Sequence, residues 1–121
     1  MDFDFARMFR HEEKVFVVSA GTVIFAEGAA AESFYVLLDG EVDISVRQSL
    51  LRTLKAGEIF GEMALVDSSP RSATATARTD CRLVEVDEKR FLFLVNQTPY
   101  FALDVMRLMA SRLRSMDQNA H

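Results

Sequence analysis

The stretch best equipped for chemistry runs from Gly57 to Thr74. It begins after a strand-like run, passes Gly61 and enters a short helix-forming run, EMALV. The residues Asp67, Ser68, Ser69 and Pro70 break that run before Arg71 and another strand-like run, SAT. Glycine beside a helix start leaves backbone N–H groups unobstructed, and such groups attract anions. Arg71 lies one loop further on, where its guanidinium can fold back and grip an oxyanion with two parallel bonds. Glu62 complicates this picture, because a carboxylate facing a phosphate repels it. It makes sense as the acceptor of a hydroxyl beside the phosphate, as on a ribose. The spacing therefore points to a sugar phosphate with a free hydroxyl. On spacing alone, Arg71 is equally able to pair with Glu62 or Asp67.

The rest of the 121-residue chain must hold these groups. Residues 3–14 predict a short amphipathic helix, with Phe5, Met8 and Phe9 on one face. From Val15 to about Val86 the pattern becomes strand-sized: VFVV, TVIF, SFYVLL, EVDISV, LLRTL, SATATA and RLVEV. Val42, Ile44 and Val46 alternate with Glu41, Asp43 and Ser45, and Ala73, Ala75 and Ala77 alternate with Ser72, Thr74 and Thr76. Short strands with turn signals at intervals of roughly 8–12 residues predict a sandwich or barrel. Asp39-Gly40 predicts a two-residue hairpin, since a type I′ turn needs positive φ at both positions. Asp87 is the expected N-cap of a short helix EKRFLFLVNQ, and Thr98-Pro99 opens a last helix reaching about Asp117. The expectation is one domain over residues 1–121, mainly β (α+β), with a β core over about 15–86 and helices over about 88–118.

The last helix carries two apolar stripes. Phe101, Val105 and Leu108 can pack on the β core. Ala102, Met106, Met109, Leu113 and Met116 follow the 4-3-4-3 spacing of a coiled-coil seam. That second stripe reads either as a wider core face or as a dimer seam or mobile lid, and methionine suits a contact that repacks.

Composition narrows the function classes. Half the residues are hydrophobic and 26% are charged, a globular balance. The net charge of −4 argues against a nucleic-acid partner. One cysteine excludes an intrachain disulfide framework and a cysteine-rich metal site, and a buried structural thiol is expected at Cys81. No apolar run approaches the roughly 20 residues of a membrane span, and MDFDFARMFRHEE lacks a signal-peptide pattern, so a soluble cytoplasmic protein without a membrane partner is expected. The two histidines lie at opposite sequence ends, so neither a metal site nor a base–nucleophile pair is expected, and no enzymatic activity. The initiator Met is read as favouring a complete small protein over a fragment, one that ends just after the long helix without a DNA-reading segment.

The chain resembles the cyclic nucleotide-binding domains of the catabolite activator and protein kinase A regulatory subunit superfamily. The phosphate-binding cassette of that family reads roughly F-G-E-x-[AG]-L, a few variable residues, then [PE]-R-[STA]-A. Here Phe60-Gly61-Glu62-Met63-Ala64-Leu65 is followed by Pro70-Arg71-Ser72-Ala73-Thr74. AGTVIFAEG, FYVLLDGEVDI and VEVDEKRFLFLV extend the likeness from about Phe9 to Arg114. The resemblance implies an antiparallel β-roll or jelly-roll barrel with a short N-terminal helix, a short cassette helix and two C-terminal helices. It also implies a cyclic nucleotide ligand, cAMP or cGMP, without metal. By position, Arg71 would hold the cyclic phosphate, Glu62 the ribose 2′-hydroxyl, and backbone N–H groups near Gly61, Met63 and Ala64 would line the phosphate. Phe60, Ser72 and Ala73 complete the cassette. Ser72 stands where Thr accompanies cGMP and Ala accompanies cAMP in the family, and cAMP is the favoured reading. Arg112, Met116 and Asp117 fall near where the lid would meet the base. The implied function is a sensor that shifts its C-terminal helices toward an unknown effector, or pairs as a homodimer through the last helix. The alternative is a scaffold that keeps the fold without the ligand.

Overall fold

The computed structural model describes residues 4–9, 11, 12 and 14–119, with side chains as far as Ser115. Eight strands come first: β1 Phe16–Val18, β2 Val23–Phe25, β3 Ser33–Asp39, β4 Glu41–Val46, β5 Ser49–Lys55, β6 Ile59–Phe60, β7 Thr74–Ala77 and β8 Cys81–Asp87. Helices α1 Glu88–Gln97 and α2 Tyr100–Asn119 follow. The strands form two antiparallel four-stranded sheets, ordered β1-β8-β3-β6 and β2-β7-β4-β5. This is the mainly β roll with C-terminal helices that the sequence predicts.

The burial patterns explain the layering. In β4, Val42 and Ile44 are buried, and in β7 Ala75 and Ala77 are, so this sheet has one core face. Sheet β1-β8-β3-β6 is covered on both sides. Leu37 and Leu83 face the other sheet with Val42, Leu54 and Phe60. Phe34, Val36, Val84 and Val86 face away from it, into a second core with Phe5, Phe9, Phe101 and Val105. That is why SFYVLL reads as an unbroken apolar run while EVDISV alternates. Phe101 and Val105 of α2 are buried and Leu108 packs beside them, as the first stripe predicts. The N-cap of α1 is Asp87, whose Oδ1 accepts the Arg90 N–H at 2.8 Å.

Three local expectations change. The N-terminal helix expected over 3–14 is a single 3₁₀ turn, Ala6–Phe9. Phe5 donates its N–H to the Gly57 carbonyl at 2.7 Å, so the chain is tied to the loop before β6 and enters a helix only at Ala6. Phe5 and Phe9 are buried, but Met8 is 38% exposed, and the expected three-residue face loses its middle member. The run EMAL is likewise 3₁₀, over Glu62–Leu65.

The third change concerns Asp39-Gly40. Strands β3 and β4 lie in different sheets, so this pair turns a corner and closes no hairpin. Gly40 takes φ 97°, and a Cβ there would sit 2.4 Å from the Asp80 carbonyl oxygen. Gly40→Ala should therefore cost at least about 2 kcal/mol, read as a lower urea midpoint with an unchanged slope. The two-residue hairpin is Arg47-Gln48, between paired Val46 and Ser49, with φ 51° and 70°. Both values are positive, as such a turn demands, although neither residue is the glycine or asparagine that announces one.

Candidate ligand-binding site

Arg71 is placed from both ends. Its N–H donates to the Ala29 carbonyl and its carbonyl accepts from the Gly28 N–H, each at 2.8 Å, so the loop before β7 is pinned to the turn after β2. Its guanidinium reaches back between the sheets. Nη2 donates to the Ser33 carbonyl at 2.7 Å and Nη1 to the Gly61 carbonyl at 3.2 Å. The residue is 8% exposed, and its Nε is buried with no hydrogen-bond partner among the described residues. Burial pushes the guanidinium below its ordinary pKa, and Tyr35 and Glu85 pull the other way. An arginine keeps its charge under such a shift. Arg71 pairs with neither Glu62 nor Asp67 among the described ion pairs.

Gly61 adopts φ 79°, ψ 15° and turns the chain from β6 into the 3₁₀ segment. The conformation favours glycine, and a Cβ here would lie 2.7 Å from Arg71 Nη1, so any side chain would have to move the guanidinium. The Ala64 N–H donates to the Gly61 carbonyl at 3.2 Å.

Glu62 is 6% exposed and its Oε1 accepts from Arg112 Nη1 of α2. Arg112 Nη2 donates to the Ile59 carbonyl at 2.7 Å, and Glu58 Oε1 lies 3.9 Å away. One guanidinium thus ties α2 to the strand and turn that carry Gly61. Above this floor lies a cavity of about 810 Å³. Phe60, Gly61, Glu62, Met63, Ala64, Arg71, Ser72 and Ala73 all line it, and so does Arg112. Side chains of Met116 and Asp117 lie outside the described residues. Among the described residues, no group of three or more His, Cys, Asp or Glu is placed to hold a metal.

Residues 15–98 match the family model described as the cyclic nucleotide-binding domain. The chain belongs to that family. The CRP-like cAMP-activated global transcriptional regulator of Mycobacterium tuberculosis is 30% identical over 104 residues, 82% of this chain and 46% of that protein. The solved Thermus thermophilus catabolite activator protein superposes at a TM-score of 0.81 with 30% identity, over 88% of this chain and 53% of that one. A structure from work on a cyclic-GMP-dependent signalling pathway that regulates bacterial phytopathogenesis also gives a TM-score of 0.81. It is 27% identical and matched over 95% of both chains. The cyclic nucleotide-binding domain described here spans about half the length of the curated bacterial regulators it matches.

Several residues that shape this domain's cavity carry no signal in the sequence. Phe25 of β2 and Arg52 of β5 line it but stand far along the chain from Gly61. Burial, and then the nearby Arg112, push the Arg52 guanidinium below its ordinary pKa. Met109 and Leu113 fall on the expected seam stripe, and both line the cavity. Met106 on the same stripe is 55% exposed, so the stripe divides between cavity and outer face. Arginines 52, 71 and 112 face two carboxylates, Glu62 and Asp67, which leaves the lining cationic.

Proposed function

We propose that the domain binds a cyclic nucleotide in this cavity, without catalysis, and passes the event to α2. The observation that carries the reading is a buried arginine with an unpartnered Nε on the floor of a cationic cavity, beside a buried carboxylate. Arg71 takes the cyclic phosphate, with the backbone around Gly61, Met63 and Ala64 beside it. Glu62 accepts the ribose 2′-hydroxyl in competition with Arg112, which holds its Oε1 in this structure. The base lies toward Met109 and Leu113, where apolar surface suits its faces. cAMP is favoured over cGMP by Ser72, and the M. tuberculosis and T. thermophilus relatives named for cAMP support that choice. Titration of nucleotide-stripped protein with cAMP and cGMP by calorimetry tests the reading. Saturable one-to-one binding is expected, tighter for cAMP; no heat with either nucleotide and no thermal stabilisation would overturn it.

The route to α2 is the Arg112–Glu62 contact. A ligand that uses Glu62 changes the partner of the helix's own arginine, which gives it different affinities for different helix placements. Arg112→Ala leaves Glu62 buried without its partner and should cost about 1–3 kcal/mol of stability. The variant should still bind nucleotide, while the ligand-dependent change in amide exchange over the C-terminal half of α2 disappears. A variant that keeps the full exchange response would remove Arg112 from the route. The outward face of α2, with Leu103 and Met106 exposed, is the surface proposed for an effector or a second copy of the chain.

A further inference from the structure

A buried arginine needs compensation, and the usual partner is a carboxylate. Among the described residues Arg71 has none. Its neighbours are two neutral carbonyls and an aromatic face: Cζ stands 4.1 Å from the centroid of the Phe25 ring. That ring is itself fixed. It packs 6.0 Å from Tyr35 and 5.9 Å from Phe60, and those two rings stack on each other at 5.5 Å with 21° between their planes. Tyr35 is held in turn by its hydroxyl, which donates to Glu85 Oε2 at 3.1 Å, and the Ser33 hydroxyl donates to the same oxygen at 2.8 Å. Phe25 and Arg71 also share a backbone frame, since Phe25 pairs with Ala75 while Gly28 and Ala29 bind the Arg71 peptide groups. A Cβ on Gly61 would come within 3.2 Å of the Phe25 ring, so glycine, guanidinium and ring meet at one point.

We propose that Phe25 is a positioning residue for the anion, its ring face holding the Arg71 guanidinium at the cavity wall. This rests on the cyclic nucleotide reading above. A carboxylate in the same place would position the arginine equally well, but an incoming phosphate would first have to displace it. The ring's negative face attracts the cation without a formal charge and without using an N–H donor. Nε stays free, and the positive charge stays available for a ligand.

The test replaces Phe25 with phenylalanines carrying one, two and three ring fluorines, which withdraw electron density from the ring face while keeping its shape. cAMP and cGMP are titrated into each stripped protein and its melting temperature is measured. Affinity should fall stepwise with fluorine number, by roughly 3- to 30-fold across the series, at nearly constant melting temperature. Phe25→Leu should lie at the weak end. If that variant folds poorly, the fluorinated series still decides. Affinity that stays flat across the series, or that tracks melting temperature instead of fluorine number, overturns the proposal. Unmodified protein that binds neither nucleotide overturns the functional reading and this one with it, a result distinct from a flat series in protein that binds.

Discussion

Arg71→Ala is expected to weaken cyclic nucleotide binding by at least about 100-fold while leaving the fold close to intact. A bidentate grip on a phosphate supplies two charge-assisted bonds of about 1.5–3 kcal/mol each, and about 1.4 kcal/mol is a factor of ten. The change in stability should be small because two effects oppose each other. Losing the guanidinium takes one donor from each of the Ser33 and Gly61 carbonyls, although Gly61 keeps the Ala64 N–H, and it also removes a cation from a site where it is 8% exposed. Arg71→Lys should fall between, near a 10-fold loss, because an ammonium keeps the charge but cannot fork. Calorimetry gives the affinities and a thermal melt gives the stability. Binding by Arg71→Ala at the parent affinity would remove Arg71 from the site, whatever the melt shows.

Much of this site was legible because its chemistry is local in sequence. Gly61, Glu62 and Arg71 lie within one short loop-linked stretch, and their residue types alone pointed to a sugar phosphate. What the pattern left open was the pairing. Arg71 had two local carboxylates to choose from and took neither; its partners are backbone carbonyls, which sequence never displays. Glu62 found its partner 50 residues away on α2. Phe25 was out of reach for the same reason: its contact with Arg71 is created by the β2–β7 pairing and the turn that follows β2.

The fold followed the same rule. Strands with a single core face alternate and were readable, as in EVDISV and SATATA. Two-residue β6, Ile59–Phe60, is too short to have a period, and it went unread although it carries the chain into Gly61. The Asp39-Gly40 reading failed because positive φ at one glycine permits a corner as readily as a hairpin. The deciding fact is that the next strand joins the other sheet. Arg47-Gln48 made the opposite error possible. Left-handed conformations cost ordinary residues about 1–2 kcal/mol each, and the paired flanks of β4 and β5 impose them anyway.

Phe101→Ala should produce the largest loss of stability, about 3–5 kcal/mol, since the ring is 1% exposed and truncation leaves a cavity. Its ring meets Phe91 at 5.7 Å, Phe5 at 6.0 Å and Phe9 at 6.5 Å, so it joins α1, α2 and the N-terminal segment at one place. Against the roughly 5–15 kcal/mol typical of a domain, that is a large share, equivalent to a fall of roughly 10–20 °C in melting temperature at this chain length. Met106→Ala, on the same helix but 55% exposed, should stay within about 0.5 kcal/mol. Equal losses in the two variants would mean that α2 does not pack through its Phe101 stripe. The contrast also separates anchoring from signalling. Phe101 fixes where α2 begins, and Arg112, about three turns further along, fixes where its far half lies against Glu62. A ligand that competes for Glu62 can release the far half while the Phe101 anchor holds. Phe101→Ala should therefore lower the melting temperature of protein with and without nucleotide alike, whereas Arg112→Ala should alter mainly the difference between them.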